Sequence, residues 1–468
     1  MEETELVIVS TFQFLRYALW RLAILSATFP ITIAEAQSIS SVPISFEAAT
    51  IRLAEVSDGL AASTAQVKAR QAQAGAVATL RRPEVSIDVR ELNYQKSLSL
   101  STGTVGPSLG LPANLDLAVG GWAFRPVVNA VMPLYSGGQI GATQNAARAG
   151  VREAEAGVAD TSQSLTLQLV QAYFGQQLAA AVLTVRTGAR VGLQQHFDDA
   201  LKLERQGFAS RAQVLQAQVA RDDAERDYQK AGNDLATATA YLANLLHSDA
   251  AVVPTTPLFV VTARLETLDD YVASAQANHP QVGRLGAVGD QAREGVRIQQ
   301  AKQRPQVYLF GQYDLNKREA LFTEPDYVYG IGLKYTFLSS TDRGQQVQAA
   351  RATQAAAEAG LRQVKVDLAT ATTRAYNDLD TARSQYLLLD SSLAASAENL
   401  RLQELSFREG LATSLDVIDA QLRLSGAQVQ RLQAAYQFDV TLAQLLAASG
   451  QVDRFASYIA RADKSIAP

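Results

Sequence analysis

The sequence predicts a mainly α-helical fold with a transmembrane β element. It combines a duplicated long-helix coiled-coil bundle with four strands per chain. Three observations predict it. First, the chain repeats itself. Tyr173, Gly207 and Gln218 return as Tyr376, Gly410 and Gln421 at a constant offset of 203 residues. An ungapped spacing suits continuous helix better than loops, which tolerate insertions. Second, two segments near 138–205 and 341–407 contain no proline. In the second, Leu361, Val364, Leu368, Ala371, Ala375, Leu379, Ala382, Tyr386 and Leu389 recur at spacings of three and four, the seam of a coiled coil. Third, Tyr327, Tyr329, Ile331, Leu333, Tyr335 and Phe337 alternate with small or polar residues. That period of two, with aromatics on one face, matches the lipid side of a membrane β-barrel.

The elements follow in order. Arg16 and Arg21 precede an apolar run from Leu22 to Ile33, and Ala34-Glu35-Ala36 follows. Residues 1–36 therefore read as a signal peptide, and the apolar run is short for a spanning helix. The mature chain is read as exported. Residues 37–250 form the first structural repeat, 251–450 the second, and 451–468 a C-terminal tail.

Each repeat opens with a helix, near 46–80 and 267–303, ended by Arg-Arg-Pro83 and Gln-Arg-Pro305. Proline stops a helix and suits the start of a strand. Val85, Ile87 and Val89 then alternate with polar residues. In the partner strand, Trp122, Phe124, Val128, Met132 and Leu134 share one side, with Arg125, Asn129 and Tyr135 on the other. Residues 93–121, rich in Ser, Gly, Pro and Asn, read as a long exposed loop.

Each long helix spans roughly 100 Å at 1.5 Å per residue. The helices after the turns, near 211–246 and 411–447, reach only roughly 54 Å. End-to-end stacking with the opening helices supplies the missing length. Four strands cannot close a barrel, and an open edge in lipid leaves backbone groups unpaired. Self-association is therefore required, with two copies giving eight strands and three giving twelve.

The formal charge of −4 indicates no basic face for nucleic acid. With no cysteine there are no disulfides, thiolate metal sites or lipidated amino-terminal cysteine. His196, His247 and His279 lack paired ligand spacing and read as structural. No catalytic motif is present, so no enzyme activity, cofactor or metal is expected.

Taken together, the duplication, His279-Pro280-Gln281, the proline-led strands, Pro133-Leu134-Tyr135-Ser136-Gly137-Gly138 and the two Gly-containing turns make this chain resemble the TolC-like outer-membrane efflux protein family over about residues 46–450. The resemblance implies a homotrimer with a 12-stranded β-barrel in the outer membrane and a 12-helix α-barrel in the periplasm. It implies a passive exit duct of a tripartite efflux or type I secretion system, with a periplasmic adaptor (membrane fusion protein) and an inner-membrane transporter as partners.

The resemblance also implies residue roles. Asp416 and Asp419, spaced i, i+3, match the family's aspartates at the periplasmic aperture, and Phe407 its aromatic packing gate. Gly207, Phe208 and Ser210, with Gly410, Leu411, Thr413 and Ser414, form tips that meet the adaptor. Trp122, Phe124, Tyr327, Tyr329, Tyr335 and Phe337 face outer-membrane lipid. Some relatives lock the mouth with an Arg–Asp pair; Ala412 and Gln213 occupy those positions here, so that lock is absent. The rival reading is a periplasmic coiled-coil adaptor or scaffold. It lacks support from lipoyl or barrel domains and leaves the aromatic strands unexplained.

Overall fold

A computed structural model describes residues 42–466, apart from positions 104, 111, 113 and 317–324. The expected signal peptide lies outside the described residues. The chain runs β1 (Val42–Ile44), α1 (Phe46–Val56), α2 (Asp58–Ala78), β2 (Glu84–Ser101), α3 (Val105–Ser108), β3 (Asn114–Tyr135), α4 (Gln139–Arg205) and α5 (Arg211–Leu245). It continues through β4 (Val252–Pro254), β5 (Leu258–Val260), α6 (Leu268–Asn278), α7 (Pro280–Ala301), β6 (Gln306–Asp314), β7 (Tyr327–Lys334), α8 (Arg343–Arg408) and α9 (Ser414–Ala448). A 3-10 turn (Val452–Arg454), α10 (Phe455–Ala460) and β8 (Lys464–Ile466) follow.

The duplication is plain in the helices. α4 has 67 residues and α8 has 66, while α5 and α9 have 35 each. The opening helices depart from expectation, because each is broken. Ser57 ends α1, and its side chain accepts from the Leu60 N–H to cap α2. His279 ends α6, and its Nδ1 accepts from the Gln281 N–H ahead of α7, which starts on Pro280. A cap residue that leaves helical dihedrals sets the break, and proline suits the new first turn. α4 packs on α2 and α7 along its first half and on α5 and α9 along its second. The stacked arrangement of short helices beside a long one is therefore present.

Where the short helices meet end to end, the chain thickens into a waist. Phe46, Tyr173, Phe174, Phe259, Phe438 and Phe455 interlock there at centroid distances of 5.1–6.2 Å. Aromatic pairs at such spacing add stability beyond their buried area. Tyr173 donates to the Ile44 carbonyl at 2.8 Å and accepts from the Thr255 and Thr256 N–H groups at 3.1 and 2.9 Å. β1 and β4 pair in parallel and β5 and β8 antiparallel. These strands were not anticipated. The C-terminal tail packs Phe455 and Tyr458 into this core and adds β8 to it.

The larger sheet has the order β2-β3-β6-β7, all antiparallel. Its strands follow each proline as expected, but two details differ. The stretch 93–121 is mostly not a loop, because β2 continues to Ser101 and β3 begins at Asn114. Cross-strand pairs such as Leu98 with Leu117 and Leu100 with Leu115 hold that extension together. β7 ends at Lys334, so Tyr335 and Phe337 lie just beyond the strand, packed edge to face at 4.7 Å. A register shift between Pro133 and Tyr135 also sets Tyr135 opposite Val307, on the aromatic face and not the polar one. The edges β2 and β7 each have a single neighbour among the described residues.

Candidate functional site: the helical tips and the sheet wall

The two tips are built alike. At the end of α4 the Gly207 N–H bonds the Glu204 carbonyl and the Phe208 N–H the Leu203 carbonyl, both at 2.9 Å. At the end of α8 the Gly410 N–H bonds the Phe407 carbonyl at 3.1 Å and the Leu411 N–H the Ser406 carbonyl at 2.8 Å. Each is a Schellman motif, and each needs a left-handed residue. Gly207 and Gly410 supply it, with φ of 81° and 73°.

The next helices start with reciprocal caps. Ser210 and Gln213 form one capping box, Thr413 and Asp416 the other. Asp416 Oδ2 accepts from the Thr413 N–H at 2.8 Å and from its hydroxyl at 2.7 Å. Those bonds hold the Asp416 carboxyl below its usual range, so it is ionised at neutral pH. Asp419 lies one turn on, and both side chains are exposed in the single chain. Gln213 has its amide oxygen on the Ser210 backbone N–H, so its side chain serves as a cap.

Phe208 and Leu411 protrude, 76% and 84% exposed. Phe407 does the opposite. It is 5% exposed and packs with Ala200, Val214, Ala217 and Val417 in a small core between the hairpins. Its ring lies 4.8 Å from that of His196. The structure therefore places Phe407 inside the tip core and not on an open surface. Ser414 is buried too, and its hydroxyl meets His196 Nε2 at 2.8 Å. His196 is thus a tip residue that sequence reasoning took only as generally structural. Its partner is 218 residues away, so no local pattern reveals it.

In the sheet, Trp122, Phe124, Tyr327, Tyr329, Ile331 and Leu333 share one exposed face; Tyr329 is 78% exposed. The opposite face carries Asp88, Arg90, Arg125, Asn129, Gln312 and Asp314. Arg125 donates to Asp314 Oδ2 through Nη2 at 2.8 Å and Nε at 3.2 Å. On this face Tyr308 and Phe310 lie over Gly332 and Gly330; a Cβ at Gly332 would sit 2.5 Å from the Tyr308 ring. Among the described residues, no group of three or more His, Cys, Asp or Glu could hold a metal, and no helix is long and apolar enough to cross a membrane.

The sequence profile of the outer membrane efflux protein family matches residues 52–247 and 271–451. The chain belongs to this family. Protein CyaE of Bordetella pertussis is 24% identical over 401 residues, covering 83% of this chain and 80% of that protein. Outer membrane protein TolC of Vibrio cholerae is 26% identical over 314 residues, covering 64% and 70%. Among solved structures, CusC superposes with a TM-score of 0.73 at 17% identity, covering 86% of this chain and 92% of that one. VceC of Vibrio cholerae gives 0.70 at 15% identity, covering 86% and 96%. The open MtrE channel of Neisseria gonorrhoeae gives 0.69 at 18% identity, covering 87% and 89%. Membership sets the protein in the outer membrane, extending into the periplasm, as an efflux or secretion duct and not an enzyme. The adaptor or scaffold reading is thereby set aside.

Proposed function

We propose that three copies of this chain assemble into one passive exit duct. The observation that carries this is the four-stranded sheet. It exposes one apolar, aromatic face, and its two outer strands have no second neighbour among the described residues. In lipid each unpaired backbone group costs several kcal/mol, so the edges must meet those of other copies. Three copies give a twelve-stranded wall, within the range of known membrane barrels. Trp122, Phe124, Tyr327 and Tyr329 then face lipid, with Trp122 and Phe124 toward one boundary and Tyr327 and Tyr329 level with Val128 and Ala130, further down the wall. Tyr335 and Phe337, past the strand end, reach the other.

At the far end of the bundle, threefold repetition brings Asp416 and Asp419 into two stacked rings of carboxylates. Such rings favour cations. Phe407 serves this mouth from within, by fixing how the two hairpins pack. The protruding Phe208 and Leu411 are the docking points for a periplasmic adaptor, which couples the duct to an inner-membrane transporter. Ala412 and Gln213 leave the mouth without an Arg–Asp lock, so closure rests on helix packing.

The test is planar-bilayer recording on the purified oligomer, with its copy number fixed by native mass spectrometry. The wild type is expected to be a cation-selective trimer, and Asp416→Asn with Asp419→Asn to lose most of that selectivity. A stable monomer in mild detergent would refute the assembly. Unchanged selectivity in an intact trimer would remove the carboxylate rings alone.

A further inference from the structure

The hairpin of β2 and β3 changes its apolar side part-way up. Below Trp122, the face bearing Val85, Ile87, Val89, Val128 and Met132 is apolar, and the other bears Asp88, Arg90, Arg125 and Asn129. Above Trp122 the assignment inverts. The formerly apolar face now carries Asn93, Gln95, Ser97 and Ser99, with Asp116 opposite Ser99. The formerly polar face carries Tyr94, Leu98, Leu100, Leu115, Leu117 and Val119. The β2–β3 register runs from Glu84 to Ser101 without a shift, so no slip of the strands produces the exchange.

The outer half of this exchange has a simple cause. Beyond an aromatic belt at Trp122 and Phe124, the outward face leaves lipid for water and becomes polar. The inner half does not. A wall lining a water-filled pore needs no leucines, and an apolar face on a two-stranded ribbon is not stable alone in water. Leu100, Leu115, Leu117 and Val119 are each at least 40% exposed in the single chain.

The ribbon is also free to lean. β6 pairs with β3 only from Val127 downward, and among the described residues the upper eight pairs, about 25 Å of ribbon, have no lateral neighbour. At the level of the exchange stand two adjacent glycines in β3. Gly121 has φ of 147°, and a Cβ on Gly120 would lie 2.6 Å from the Tyr94 carbonyl oxygen. Paired glycines in a strand permit a bend that other residues resist. In a closed barrel, the inner faces of these ribbons all point to one axis.

We propose that the upper β2–β3 ribbons of the copies lean inward at Gly120–Gly121 and pack their Tyr94, Leu98, Leu100, Leu115, Leu117 and Val119 faces against one another. They form an apolar plug across the outer mouth of the duct, which must part for cargo to leave. The occupant of each apolar face is thus another copy of the same ribbon. Lys96, opposite Val119, puts one charge on this face; its long stem lets the amine reach water at the rim. The inference rests on the closed oligomer proposed above.

The chain contains no cysteine, so a single introduced thiol reports cleanly. Leu117→Cys places it on the apolar face, and Ser97→Cys on the opposite one. Both are oxidised mildly as purified oligomers of verified copy number. Leu117→Cys is expected to form reducible covalent dimers about tenfold faster than Ser97→Cys, as proximity raises effective concentration. Leu98→Ser with Leu117→Ser is expected to raise single-channel conductance severalfold. Equal cross-linking in intact trimers, or unchanged conductance of the serine variant, overturns the plug. Failure to form any closed oligomer would instead overturn the assembly on which it rests.

Discussion

His196 Nε2 lies 2.8 Å from the Ser414 hydroxyl oxygen, tying α4 of one hairpin to the first turn of α9 in the other. Burial pushes the His196 pKa below its ordinary 6.5, while the nearby Asp199 carboxylate partly opposes that. The folded tip therefore favours the neutral ring, and the unfolded tip binds more protons as pH falls below 6.5. Stability from this group is present above that pH and declines beneath it. Hydrogen-exchange protection over residues 193–217 and 403–420, taken relative to intrinsic exchange at each pH, should weaken as pH falls from 7.5 to 5.5. His196→Gln should flatten the pH dependence, and Ser414→Ala should cost about 1 kcal/mol of local stability.

Glu266 anchors the C-terminal segment. Its carboxylate accepts from Tyr271 Oη at 2.8 Å and Tyr458 Oη at 2.9 Å, with Arg454 and Arg461 at 3.3 and 3.4 Å. Burial works to raise its pKa, but the hydrogen bonds and Arg461 outweigh it and hold the group at about 2. A depressed acid contributes above its unfolded value near 4.5 and loses that contribution as pH falls toward 2. Glu266→Gln should loosen α10 and β8 by about 2 kcal/mol, the scale of a hydrogen bond to a charged group. Limited proteolysis should then release the segment beyond Ser449 faster at pH 7, with the gap between variant and wild type narrowing below pH 4.5 and closing only toward pH 2.

Much of the bundle was legible in the sequence because its signals are long. The 203-residue repeat fixes the equal lengths of α4 and α8, and period-two aromatics mark β7. Short signals were overridden. His279-Pro280 carries a cap and a helix-starting proline, yet sits inside a pattern that looks continuous. Leu98 and Leu100, with Leu115, Leu117 and Val119, alternate correctly for strands but stand among Ser, Gly and Asn that read as loop. The waist strands have three residues each, too few for any period to show. At the tips, both turns and both caps follow from Gly207, Ser210, Gly410 and Thr413. The burial of Phe407 and its contact with His196 depend on how two distant hairpins meet, which no local window contains.

Asp439 is a buried acid with little support. It has no exposed surface; Oδ2 takes a long bond of 3.4 Å from the Phe259 N–H, and Oδ1 has no hydrogen-bond partner among the described residues. Burial raises its pKa well above the usual carboxylate range, with the Phe259 bond opposing. An acid raised in the folded state costs stability progressively as pH climbs above its unfolded value. Asp439→Asn should therefore stabilise the waist by about 1–3 kcal/mol at pH 8, the scale of an unsatisfied buried polar group. Thermal melting in detergent should show the gain at pH 8 and little of it at pH 4.

The Arg125–Asp314 pair crosses from β3 to β6 on the polar face of the sheet, with side chains only 11% and 3% exposed. Removing one partner strands the other. Arg125→Ala should cost about 3–5 kcal/mol by leaving Asp314 buried without its charge partner. Replacing both with apolar residues of similar volume should cost far less, because the desolvation cost of two ions disappears along with their attraction. Heat resistance of the detergent-solubilised oligomer on gels is the readout. The single variant should dissociate at markedly lower temperature than the double variant Arg125→Leu, Asp314→Leu. If the double variant proves as fragile as the single, the pair contributes through a specific contact with the lumen or a neighbouring strand, and not through mutual compensation of charge.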